Sequence, residues 1–274
     1  MKTYIVADIG INHNGDINDA IILMSEAKRI GVDCVKFQKR TPELCVPDHQ
    51  WDQIRQTPWG DMRYIDYKKR IELSQDDYIF IDRYARSIGI NWTASVWDEL
   101  SVAFMERFDV PFLKIPSSQI TNIGLLESAK ETGKPIFMGI GMSTESQAHD
   151  AASRLGESLL GILHCNSSYP AKEDELDLSY IPVLKSKYPN IRIGYSGHEK
   201  GVLPSLVAVA VGAQIIERHI TLDNDAWGTD QSSSLDIQNF ARLVEDIRRT
   251  EKILGEPHLK IYPEEFRMSQ KLRG

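Results

Sequence analysis

The sequence predicts an α/β chain folded as a single (β/α)8 TIM barrel. Three observations predict it. The chain has 274 residues, close to the roughly 250 of a typical barrel. Short β-rich runs alternate with helix-spaced runs from end to end, without a shift in composition between them. Nearly every β-rich run finishes in polar residues, as the functional rim of such a barrel requires.

The elements follow in order. Residues 4–8 read as the first strand. Residues 17–30 place Ala20, Leu23, Met24, Ala27 and Ile30 on one face, which is helical spacing, and Gly31 reads as the stop. Residues 34–38 read as the second strand, with Lys36 and Gln38 on one face and Val35 and Phe37 on the other. The stretch 39–76 is too long for a simple βα loop and holds Trp51, Pro58, Trp59, Tyr64 and Tyr67. It reads as an insertion: a lid, an oligomer contact or an ordered element. A helix over 77–88 leads to a third strand at 91–95, and 112–115 reads as the fourth. A helix over 123–132 and the break Gly133-Lys134-Pro135 precede a fifth strand at 135–139. A helix over 144–155 leads to the sixth, 159–164. A helix over 177–187 leads to the seventh, 191–195. The apolar run 202–212 reads as a buried helix before the eighth strand, 215–219. The last helix, 236–254, puts Ile237, Phe240, Val244 and Ile247 on one face. A doubly wound sheet is the alternative, but Gly139-Ile-Gly141-Met lacks the third glycine of a dinucleotide fingerprint.

Composition narrows the function. A formal net charge of −7 with no basic block disfavours nucleic acid and anionic membrane as partners. An anionic substrate then needs a local cluster of cations. Cys34, Cys45 and Cys165 form neither a disulfide framework nor a zinc spacing, and they read as reduced thiols of a cytoplasmic protein. The N-terminus lacks the features of a secretion signal, and no apolar run reaches transmembrane length.

The strand ends carry the candidate chemistry. The first gives Asp8 and a turn containing His13, the second Lys36 and Gln38, the third Ser95, the fourth Lys114, Ser117 and Ser118. The sixth runs into Asn166, Ser167 and Tyr169, the seventh into Ser196 and His198, and the eighth carries Glu217 and His219. Two lysines beside serine hydroxyls make a clamp for phosphate and carboxylate, set against the plainer reading of solvent-facing lysines. Histidines on adjacent strands can reach one metal; the alternative is two histidines bonded to backbone or carboxylate. Asp230 and Gln231, in a loop beyond the last strand, can meet hydroxyls of a polar substrate. His13 can equally be a plain turn histidine. His49, His149 and His258 read as surface residues.

Taken together, these segments resemble the sialic acid synthase family. The matching runs are Ala7-Asp-Ile-Gly-Ile-Asn-His-Asn-Gly15, Val35-Lys-Phe-Gln38, Phe112-Leu-Lys-Ile-Pro-Ser117, Gly141-Met-Ser143, His164-Cys-Asn-Ser-Ser-Tyr-Pro170, Gly194-Tyr-Ser-Gly-His198 and Ile216-Glu-Arg-His-Ile-Thr221. They occur in the family's order across almost the whole chain. The resemblance implies a transferase that condenses phosphoenolpyruvate with N-acetylmannosamine or a related open-chain hexose and releases phosphate. It implies a divalent metal, Mn²⁺ or Mg²⁺, on His198 and His219. It places Lys36, Ser95, Lys114, Ser117, Ser167 and Ser196 on phosphoenolpyruvate, and Gln38, Tyr169, Glu217 and Asp230 near the acceptor. A homo-oligomer is also implied.

The chain departs from the family in four ways. Well-known members have Glu where this chain has Asp8, and another Glu where it has Gln119. They have Asn at the position of Ser167. Many also carry a C-terminal antifreeze-like domain, whereas this chain stops at Gly274, just after the expected last barrel helix. Two alternatives therefore stand beside the sialic acid-type synthase. One is a metal-dependent synthase or aldolase of the same fold acting on another aldose or sugar phosphate. The other is a sugar-binding homologue that has lost catalysis.

Overall fold

A computed structural model describes residues 2–273. Eight parallel strands close into a barrel: β1 Tyr4–Gly10, β2 Cys34–Lys39, β3 Asn91–Val96, β4 Leu113–Ile115, β5 Ile136–Gly139, β6 Leu159–His164, β7 Arg192–Gly197 and β8 Ile215–Thr221. Closure is made by β1 against β8, with Tyr4 opposite Ile215 and Asp8 opposite His219. Eight helices wrap the outside: α1 Ile17–Arg29, α2 Gln75–Ile88, α3 Glu99–Glu106, α4 Ile123–Glu131, α5 Glu145–Leu155, α6 Tyr180–Lys187, α7 Leu203–Ala210 and α8 Ile237–Leu254.

Local chemistry explains the helix bounds. The Asp16 side chain caps α1 by accepting from the Asn18 N–H. Ser74 and Asp77 form a capping box at the start of α2, and Gly89 ends it at φ 67°. Helix α8 buries Phe240, Leu243, Val244 and Ile247 on the face the periodicity marks.

Strand parity sorts the core into two shells. Ile5, Ala7, Ile9, Val35 and Phe37 point outward into the layer shared with the helices. Val6, Cys34, Phe112, Phe137, Leu163 and Ile215 point inward and fill the floor of the barrel. The Phe112 and Phe137 rings stack there with centroids 4.0 Å apart.

Two expectations needed correction. The reading passed over α3, whose eight residues give the 3.6 period little length to show; Asp98 caps it. The chain also does not end at the last barrel helix: a further exposed helix, Pro263–Arg273, follows α8. The segment between β2 and α2, expected as an insertion over 39–76, is ordered. It contains a hairpin, Ile54–Thr57 with Gly60–Arg63, and a helix, Tyr64–Ile71. Its Trp59 and Tyr67 pack on Trp227 beyond β8, at centroid distances of 5.8 and 5.0 Å. Among the described residues no helix is long and apolar enough to cross a membrane.

Candidate active site at the carboxyl ends of the strands

One rung above the apolar floor, the inward-facing residues become charged. The Lys36 Nζ donates to Asp8 Oδ2 at 2.7 Å and to Ser95 Oγ at 2.8 Å. The Lys114 Nζ donates to Glu217 Oε1 at 2.8 Å, and the Ser196 hydroxyl donates to the same oxygen at 3.1 Å. Lys36 and Glu217 approach to 3.8 Å, so the two pairs form one cluster. All four charged side chains are buried. Removing such charges from water is costly, and each is tolerable only because the others are present.

The register explains this convergence. Asp8 lies opposite Lys36 on one side and His219 on the other; Ser95 lies opposite Lys114, and Glu217 opposite Ser196. The alternation read in the second strand therefore points Lys36 and Gln38 inward. Gly10 lies at φ 56°, and a Cβ there would stand 3.1 Å from His219 and 3.2 Å from Gln38. Glycine leaves room for both side chains.

The histidine pair sits on the rim of the same cleft, with ring centroids 5.7 Å apart. His198 Nδ1 lies 2.6 Å from the Asn166 carbonyl, and its Nε2 lies 2.9 Å from the Tyr169 hydroxyl. His219 Nε2 is 3.4 Å from Asp8 Oδ2. Burial, followed by the charge of His219, lowers the His198 pKa to about 3, so its imidazole is neutral at neutral pH. Burial raises the Glu217 pKa, but Lys114 and Lys36 outweigh it and hold the carboxyl below its usual range. Burial likewise opposes the charge on Lys36, yet Asp8 and Glu217 raise its pKa overall. The cleft thus holds the Lys36 ammonium, the Glu217 carboxylate and the neutral His198 imidazole, beside Asp8 and Lys114.

Several buried polar atoms in this cluster have no partner: the acceptors Asp8 Oδ1 and Glu217 Oε2, and the ring nitrogen His219 Nδ1. Among the described residues no three His, Cys, Asp or Glu side chains are grouped to hold a metal ion. A cation on this rim would therefore use two imidazoles and complete its shell with water or substrate oxygens. The unpartnered acceptors and the neutral His198 fit that donor set.

Most sequence candidates come together here. Asp8, Lys36, Gln38, Ser95, Lys114, Ser117, Ser118, Ser167, Tyr169, Ser196, His198, Glu217 and His219 line one cleft of about 140 Å³. The Ser117 and Ser167 hydroxyls lie 2.9 Å apart. Gln119 does not join them; it sits in the turn after β4, where its Oε1 accepts from Asn122 at 3.3 Å. Asp230 stands outside the cleft wall and accepts from the Thr229 hydroxyl, although its field acts on both Lys36 and Tyr169. Gln231 needs correction as a substrate contact. It is buried, its Nε2 donates to the Asn12 carbonyl and its Oε1 accepts from Thr221, so both ends hold loops together. His49, His149 and His258 are exposed, as expected. His13 is buried, and its Nδ1 accepts from the Gly15 N–H, which makes it a turn residue.

The sequence reading missed Trp97, Met142 and Cys165 as cleft residues. Trp97 shares parity with Ser95, and that signal was available. It also missed the ion pair behind His198. Arg218 and Glu199 meet at 2.8 Å with neither side chain exposed. Arg218 also donates to the Gly201 and Glu199 carbonyls, and Tyr195 donates to Glu199 at 2.6 Å. This network fixes the turn that carries His198.

The NeuB family profile matches residues 23–258. The chain is 37% identical to human N-acetylneuraminate-9-phosphate synthase, covering 98% of this chain and 76% of that protein. It is 34% identical to N,N'-diacetyllegionaminic acid synthase of Legionella pneumophila, covering 93% and 74%. The crystal structure of N-acetylneuraminic acid (sialic acid) synthetase from Leptospira borgpetersenii, in complex with citrate, superposes with a TM-score of 0.89 at 32% identity. The match covers 100% of this chain and 93% of that one. With the family profile spanning most of the barrel and these synthases aligned along it, the chain belongs to the NeuB family of synthases.

Proposed function

We propose that the protein condenses phosphoenolpyruvate with an open-chain N-acetylhexosamine, N-acetylmannosamine or a close relative, to form a nine-carbon 2-keto-3-deoxy acid and release phosphate. The observation that carries this reading is the cluster of Lys36, Lys114, Asp8 and Glu217 directly beside His198 and His219. Two ammoniums suit a small polyanion, and two imidazoles on the rim suit a divalent metal.

The residues would divide the work as follows. Lys36 and Lys114 exchange some of their carboxylate contacts for those of phosphoenolpyruvate, with Ser95, Ser117, Ser167 and Ser196 supplying hydroxyl donors. Gln38 and Tyr169 hold the acceptor, and clamping both substrates supplies proximity. His198 and His219 would hold Mn²⁺ or Mg²⁺, which when bound polarises the aldehyde oxygen. C3 of phosphoenolpyruvate forms the new bond to the aldehyde carbon. Water adds at C2, and the C–O bond to phosphate breaks. Asp8 or Glu217 takes the proton of that water. Gln119 pairs with Asn122 away from the cleft wall, and this reading assigns it no proton transfer.

The test is phosphate release from phosphoenolpyruvate and N-acetylmannosamine, with Mn²⁺ or after chelation, on wild type and His219→Ala. Metal-dependent release that is lost in the variant is expected. Activity only with other aldoses would move the substrate. Silence across a broad aldose panel, with phosphoenolpyruvate still bound, would sink the synthase reading.

A further inference from the structure

The two rim histidines are not held alike. His219 lies within β8, where it stands opposite Asp8 of β1. His198 stands one residue beyond the end of β7, and the ladder from β7 to β8 stops with Gly197 opposite Arg218. The ladder therefore does not set how far His198 stands from His219. A buried ion pair spans that gap. Arg218 is the residue before His219, Glu199 is the residue after His198, and the two meet at 2.8 Å.

The surroundings of this pair are apolar. Strand parity turns Arg218 and Tyr195 outward, with Ile193, Ile216 and Ile220, into the layer beneath the helices. A buried ion pair seldom stabilises more than a well-packed apolar pair of similar volume, so its presence here points to a task of position. Its bonds converge on one turn. Arg218 donates to the Glu199 and Gly201 carbonyls and to the Ser205 hydroxyl of α7. The Glu199 carboxylate folds back over Gly197, where a Cβ would stand 2.7 Å from Oε2 and 2.8 Å from Oε1. Only glycine leaves room for that approach. Tyr195 donates to Oε2 at 2.6 Å and holds the carboxylate there. The loop after β6 is tied to the same turn. Its Ala171 N–H donates to the His198 carbonyl at 3.2 Å, and its Asn166 carbonyl lies 2.6 Å from His198 Nδ1.

We propose that the Arg218–Glu199 pair is a spacer that sets the separation of the His198 and His219 imidazoles, and with it the affinity of the rim for a divalent cation. The inference rests on the metal-dependent synthase reading above. The ring centroids stand 5.7 Å apart, and metal–imidazole bonds tolerate errors of only about 0.2 Å. A brace from the neighbour of one histidine to the neighbour of the other meets that tolerance better than a turn alone. Arg218, Glu199 and Tyr195 do not line the cleft. They act through the histidines and are positioning residues.

The experiment titrates Mn²⁺ into the full chain, following free Mn²⁺ by electron paramagnetic resonance. Phosphoenolpyruvate binding and the urea unfolding midpoint are measured beside it. Glu199→Leu combined with Arg218→Met removes both charges together, so the midpoint should stay near that of the wild type. Mn²⁺ should bind about 10- to 100-fold more weakly, while phosphoenolpyruvate binding should change by less than about 3-fold. Tyr195→Phe removes one hydroxyl and no charge. It should weaken Mn²⁺ by about 3- to 10-fold, and it decides the matter if the double variant does not fold. Wild-type Mn²⁺ affinity in whichever of these variants folds would overturn the proposal. Parallel losses of Mn²⁺ binding, phosphoenolpyruvate binding and stability would overturn it too, because they would show a general packing role. Phosphate release by a wild type that binds no Mn²⁺ would overturn the spacer and leave the condensation standing. Mn²⁺ binding that depends on the pair, without phosphate release from any aldose, would support the spacer and sink the synthase reading.

Discussion

The floor and the mouth of the barrel are built from the same strands, one rung apart, and they solve opposite problems. The floor presents Val6, Cys34, Phe112, Phe137, Leu163 and Ile215 to one another. The next inward positions along these strands include Asp8, Lys36, Lys114 and Glu217. The floor gains by excluding water from apolar area. The mouth gives up part of that gain to hold charges in place before substrate arrives. Stability and activity should therefore separate cleanly between the two rungs.

The largest effect should come from Lys114→Met, and the separation from combining it with Glu217→Leu. The single variant leaves Glu217 buried and unpaired, so activity should fall by about 1,000-fold or more, and stability by about 3–5 kcal/mol in urea titration. The double variant Lys114→Met with Glu217→Leu should recover most of that stability and none of the activity. A double variant as unstable as the single one would mean that packing, not charge, holds this rung. In the floor, Phe137→Ala should cost about 3–5 kcal/mol while the folded fraction keeps turnover within about 3-fold of wild type. A large loss of kcat in folded Phe137→Ala would show that the floor positions the chemistry above it.

Acid offers a subtler contrast. Burial, then Arg40, lowers the His13 pKa from 6.5 to about 4. Between those values the unfolded chain takes up the proton and the folded chain does not, so stability falls as pH drops from 6.5 towards 4. The difference corresponds to on the order of 3 kcal/mol, and His13→Asn should flatten this part of the pH-stability curve. An unchanged curve would mean that His13 is protonated in the folded protein. Gln119→Ala should have the smallest effect, under about 3-fold in kcat/KM. A 100-fold loss would bring Gln119 back to the reacting groups.

Much of this was legible because strand parity is a strict code. Lys36 and Gln38 against Val35 and Phe37 told which side chains enter the barrel, and the order of strand ends told which would meet. The partners of each charge were less legible. Lys36 finds Asp8 and Lys114 finds Glu217 through register, which no local pattern encodes. Gln231 looked like a substrate contact because polar loop residues resemble one another until their hydrogen bonds are traced. A second cavity, lined by Arg40, Tyr64, Lys68 and Trp97, was hidden for a further reason. It exists only when the insertion folds over the rim, and that folding depends on contacts far along the chain.

The clasp of Trp59 and Tyr67 on Trp227 has a consequence for recombining this barrel with its relatives. Residues 39–76 and the loop beyond β8 are distant in sequence but pack as one module, and that loop is also tied to the turn after β1, where Asn14 donates to the Trp227 carbonyl at 2.8 Å. A chimera that inherits the insertion from one parent and the loop from another would bring together aromatic surfaces shaped for different mates. Crossovers that carry both segments together should yield soluble hybrids far more often than those that divide them.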